Sequence, residues 1–256
     1  MLRIGQHLMA LVHAAALLSS HMRVPPPNTR FARSASQLRT FPQTTTYLLN
    51  EAIVAISDTT IATLFAVIAS DKLHMASSDV AAVMSTSIVF VVISNLIAGE
   101  IMKRKLVTAT KLILVGRLGI MCNQLYFAFA VDTAKEFWIS GVFFGIFNGL
   151  LGVTSTQLFS SLIPPVYKSE FFALRSVNSK LLAWIGPLVF GIINSYSFSL
   201  AVASLTVYTI IGSAFLMCVD VQKGVQTALN FEEGEQESTE SSIELSLKSE
   251  AMSQVL

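Results

Sequence analysis

Six stretches of roughly 20 residues, each nearly free of charge, follow one another between Tyr47 and Val221. They run over Tyr47–Ala69, Val80–Ile101, Leu112–Val131, Trp138–Ser160, Leu181–Tyr196 and Leu200–Val221. A helix needs about 20 apolar residues to cross a hydrocarbon core of about 30 Å at 1.5 Å per residue. No soluble domain has a use for six such runs in series. Inside a bilayer the backbone must satisfy its own hydrogen bonds, so each run is expected as a helix. The chain is 53% hydrophobic and 13% charged, about half the charge of an ordinary globular domain. The expected fold is an all-α integral membrane protein with six transmembrane helices and the lipid bilayer as its solvent.

Orientation follows from the basic residues. Of 17 Lys and Arg, 14 fall on one side of this arrangement, from Arg3 through the Lys103–Lys105 cluster, Lys168, Arg175 and Lys180 to Lys223 and Lys248. Lys72 and Lys135 lie on the other side, and Arg117 lies within the third span. Basic loops stay in the cytosol, so both termini are expected there, which agrees with an even number of crossings. A net charge of +1 gives no basis for binding nucleic acid.

The domain layout reads as a basic leader over 1–44, a six-helix bundle over 45–222 and an acidic tail over 223–256. The leader holds the apolar "HLMALVHAAALLSS" and then a Ser- and Arg-rich stretch with three prolines. Three readings stand side by side: a secretory signal, a transit peptide, or the end of a preceding transmembrane helix. His7, His13 and His21 lack a shared ligand spacing, and no metal is expected. The tail, with "FEEGEQESTESSIELSLKSE", is too polar to order itself and is expected to be disordered. The plain reading is a solvated tail; the alternative is that Ser238, Thr239, Ser241 and Ser242, lying among its glutamates, are sites for an acid-directed kinase.

Charged groups inside the spans bear most on function, because each is costly to bury. Glu51 and Asp58 lie seven apart in the first span, two turns along one face. Arg117 sits within the third. Asp58 is expected to face a water-lined interior; Arg117 either pairs with it across the bundle or snorkels to the cytosolic edge. Arg175, with Glu170 and Lys180, is expected to anchor the fifth helix at the membrane surface. Glu100, beside "MKRK", reads as interfacial. In the fourth span Gly141, Gly145 and Gly149 form a stripe that lets two helix backbones approach. Gly186-Pro187 bends the fifth span and is a candidate hinge. Cys122 and Cys218 read as small buried hydrophobes. There is no HExxH, GxSxG or phosphate-binding loop, so neither enzyme activity nor a cofactor is expected.

The string "LIPPVYKSEFFALRSVNSKLLAWIGPLVFGII" (Leu162–Ile193), closed by "VDVQKG" (Val219–Gly224), resembles the autophagy-related protein 22 family of vacuolar amino-acid effluxers. "GIFNGLLGVTSTQLFSSLIP" is similar to that family's tenth helix. "FPQTTTYLLNEAIVAISD" is similar to the entry of its seventh, with Asp58 at the acidic position. Cover is about residues 36–228. Two features depart from the family pattern: "SYSFSLA" lacks the arginine usual between the last two helices, and "GEIMKRKL" is a degenerate gating loop.

The resemblance implies the C-terminal half of a major facilitator superfamily transporter. It implies export of amino acids such as leucine from a vacuole to the cytosol by alternating access. Asp58 and Arg117 would line the substrate cavity with Asn148 and Gln157. The first six family helices have no counterpart, so a missing N-terminal half or a homodimer partner is implied. A non-transporting membrane subunit or scaffold, or a carrier of another small solute, stands as the alternative.

Overall fold

The computed structural model describes Leu38 and residues 40–231. The expectations for the leader up to Gln37 and for the tail from Glu232 lie outside the described residues. Six helical stretches among the described residues are long and apolar enough to cross a membrane. Helix α1 spans Pro42–Asp71, α2 Ser77–Lys103, α3 Ala109–Phe129 and α4 Ala134–Ser161. The fifth stretch is broken: α5 (Lys168–Leu181) and α6 (Ile185–Asn194) are separated by a turn. Helix α7 spans Phe198–Met217, and a further helix, α8, covers residues 221–231. The chain is therefore an integral, multi-pass, all-α membrane protein.

Helices α1, α2 and α4 extend past their apolar runs at both ends, whereas α7 stops short of the end of its own. At the start of α4, Glu136 Oε2 accepts from the Thr133 and Asp132 amides at 2.8 and 2.9 Å, closing a capping box with Thr133. Helix α8 occupies the first residues of the segment assigned to the tail. Its Phe231 ring packs 5.3 Å from Phe41 and 5.9 Å from Tyr167, and Ala228 is buried, so the ordered bundle extends to this point.

Some neighbours in the bundle are consecutive in the chain and others are far apart in it. Helix α4 packs between α2 and α3, and α7 packs against α1, α3 and α6. Helices α5 and α6 both lie on α1. The α2–α4 contact is made by the glycine stripe. A Cβ on Gly141 would stand 2.6 Å from Val83 Cγ1. One on Gly145 or Gly149 would run into the backbone carbonyl of Ser87 or Val91. Ser94 Oγ donates to the Ile146 carbonyl at 2.6 Å across the same seam. The opposite face of α2 turns Ile88, Val92, Leu96 and Ile97 outward to lipid.

Two apolar cores lie at the two ends. One joins Phe65, Phe127, Phe137 and Leu205, where α1 and α3 end and α4 and α7 begin. The other joins Tyr47, Ile113, Phe159, Phe171 and Leu216 at the other end. Between them lies a polar layer. Gln124 Nε2 donates to Ser57 Oγ at 2.8 Å, Thr209 Oγ1 to Ser57 Oγ at 3.3 Å, and Ser140 Oγ to Asn123 Oδ1 at 3.2 Å. Cys122 and Cys218 are exposed on the bundle surface, against the expectation that they are buried. An apolar thiol gains nothing by turning inward when lipid is as apolar as the interior.

The break in the fifth span is at Leu182–Trp184, just before Gly186-Pro187. Pro187 falls in the first turn of α6, where its missing N–H would have no helical partner in any case. Gly186 is buried, and a Cβ there would collide with Thr60 Oγ1 and press on the Ile56 carbonyl. This glycine is a point of close approach between α6 and α1.

Candidate functional site

A cavity of about 170 Å³ opens in the polar layer, lined by Glu51, Asp58, Arg117, Asn148, Leu151, Gly152 and Ser155. Helix α1 supplies both carboxylates because Glu51 and Asp58 are two turns apart. Helix α3 supplies Arg117, and α4 the remaining four residues. Three of the four residues expected at the cavity, Asp58, Arg117 and Asn148, line it. Gln157 does not; it is exposed on α4, two residues beyond Ser155 and on a different face.

Of the two expectations for Arg117, neither the pair with Asp58 nor a reach to the bundle edge is found; it is buried and meets Glu51. Arg117, only 4% exposed, directs Nη2 to Glu51 Oε1 at 3.5 Å. Its Nε and Nη1 have no hydrogen-bond acceptor among the described residues. Glu51 is bound more tightly by Arg175, whose Nη2 and Nε approach Oε2 at 2.8 and 3.3 Å. The Tyr47 hydroxyl lies 2.9 Å from the Ser155 carbonyl and 3.2 Å from Glu51 Oε1. Asp58 forms no hydrogen bond or ion pair with any described residue.

Arg175 is thus not a surface anchor. Its side chain is 17% exposed, donates to Ser155 Oγ at 3.1 Å and lies over the Phe159 ring at 5.2 Å. The face of α5 turned toward α1 and α4 carries the buried Phe171 and Leu174, and Arg175 and Asn178 lie beside them on it while Ser169, Ser176 and Lys180 are exposed. Asn178, one turn on, donates to the Leu48 carbonyl at 2.8 Å and fixes the same docking. The sequence signal was the recurrence of a polar group at 175 and 178. Glu100, by contrast, is where it was expected, paired with Arg104 at 2.7 Å on the exposed end of α2.

The cavity brings ionisable groups of both signs together at mid-depth in the helical bundle. A family model described as "Vacuole effluxer Atg22 like" matches residues 21–229. The chain belongs to the Atg22-like vacuole effluxer family.

Among its relatives is Autophagy-related protein 22 of Pichia angusta, 24% identical over 212 residues, which are 77% of this chain and 37% of that protein. The protein of the same name from Kluyveromyces lactis is 33% identical over 95 residues, 36% of this chain and 19% of that one. An uncharacterized MFS-type transporter, YxiO of Bacillus subtilis, is 28% identical over 102 residues, 39% of this chain and 23% of its own length. The chain spans well under half the length of each of these relatives.

Proposed function

We propose that the chain forms part of a membrane transporter that exports amino acids, leucine among them, from the vacuole lumen to the cytosol. The solute binds in the cavity between α1, α3 and α4, and a rocking motion exposes it to one side at a time. A second six-helix bundle, from a preceding segment or from another copy of the chain, faces the cavity and completes the path. Both termini lie in the cytosol, in keeping with the clustering of basic residues at one end. The observation that carries this reading is a mid-depth cavity with a carboxylate and a guanidinium that suit a solute of both charges. Membership of a family described as vacuole effluxers supports the direction of export.

Efflux from proteoliposomes loaded with labelled leucine tests the proposal. Flux above that of protein-free liposomes, saturable by leucine and reduced severalfold or more by Asp58→Asn, is the expected result. Folded protein that carries no flux would overturn it; flux unaffected by Asp58→Asn would remove Asp58 from the path.

A further inference from the structure

We infer that the cavity binds a zwitterion with its two charges held on different helices, the ammonium by Asp58 of α1 and the carboxylate by Arg117 of α3. This rests on the proposed amino-acid transport and adds to it the residue that takes each charge and the way round the solute lies.

Three ionised side chains line the cavity, and they are not equally available. Glu51 is committed: Oε2 holds two nitrogens of Arg175, and Oε1 faces Tyr47 and Arg117. A ligand ammonium would compete there with two guanidinium groups already in place. Asp58 has no such partner among the described residues, so it is the carboxylate left to bind a cation. For the anion the choice is narrower still. Arg175 is taken up by Glu51 and Ser155, and its guanidinium does not line the cavity. Arg117 does, with one long contact and with Nε and Nη1 unpartnered although the residue is only 4% exposed. Donors left unfilled in such a place are costly, and a carboxylate fills them with charge-assisted hydrogen bonds.

The level of each group sets the orientation. Arg117 meets Glu51, whereas Asp58 lies about 10 Å further along α1 at 1.5 Å per residue. The carboxylate therefore points toward the end where α1 begins, and the ammonium toward the end where it finishes. Leu151 and Gly152 of α4 leave an apolar wall for the side chain.

The test uses the full chain in lipid nanodiscs and isothermal titration with leucine, leucinol, which lacks the carboxylate, and 4-methylvalerate, which lacks the ammonium. The wild-type chain is expected to prefer leucine to both by tenfold or more, the scale of a lost charged hydrogen bond. Arg117→Gln should erase the preference over leucinol and keep that over 4-methylvalerate; Asp58→Asn should do the reverse. If Arg117→Gln does not fold, Arg117→Lys replaces it and should shrink the preference over leucinol, because a point charge replaces a planar fork. Binding of leucine with preferences unchanged, or weakened alike for all three ligands, overturns the assignment while leaving amino-acid transport intact. A wild-type chain that binds none of the three overturns both.

Discussion

Two carboxylates on one helix face have opposite circumstances. Glu51 holds Arg175 closely and meets Arg117 at longer range inside the bundle, and its side chain is 17% exposed. Removing one partner of a buried charge pair costs about 3–5 kcal/mol, because the charge left behind has no counterpart. Glu51→Gln is therefore expected to destabilise the bundle by about that much, read by detergent-titrated unfolding. Asp58→Asn is expected to cost less than about 1 kcal/mol or to stabilise, since no partner is stranded and a charge leaves the membrane interior. Equal losses for the two variants would show that Asp58 has a partner of its own. An efflux defect in Asp58→Asn with unchanged stability would mark a group kept for function.

Helix pairs in lipid are held by close packing and interhelical hydrogen bonds rather than by a hydrophobic drive. The α2–α4 seam shows this in its glycines, whose missing side chains admit the Ser87 and Val91 carbonyls. Gly145→Leu should push these helices apart and cost about 1–3 kcal/mol, the usual penalty of overpacking. Gly191→Ala, with nothing within 4 Å of the new methyl, is the control and should leave the melting temperature unchanged. The α5–α6 break separates packing from bending in the same way. Gly186→Val should disrupt the α6–α1 contact and lower the melting temperature by several degrees. Pro187→Ala restores only an N–H that a first-turn residue does not use, so stability should change by less than about 1 kcal/mol. A large loss for Pro187→Ala would show that the proline itself shapes the break.

At the scale of the whole molecule, the cavity lies between two apolar cores, and Arg175 ties α5 to α1 and α4 beside the core that contains Phe159. In the proposed topology this tie stands between the cavity and the cytosol, and the proposed export requires it to loosen. The orientation is itself testable. Protease added to intact vacuoles that contain the chain should clip the acidic tail while the bundle survives; a protected tail would invert the topology and the direction of export.

The number of membrane-length helical stretches, and most of their ends to within a few residues, were legible in the residues alone. Each depends on a local property, the length of an apolar run. The glycine stripe was legible for the same reason, since a four-residue spacing defines a face on any helix. Which faces meet was not. Lipid and bundle interior are equally apolar, so no hydrophobic pattern states that Cys122 turns outward or that Arg175 of α5 turns inward. Only the tertiary structure could give Glu51, rather than Asp58, to Arg117 and bring Arg175 across 124 residues of chain to the same carboxylate. A charge pair between helices is decided by how each helix is rotated and which neighbour it meets, and both are settled by packing.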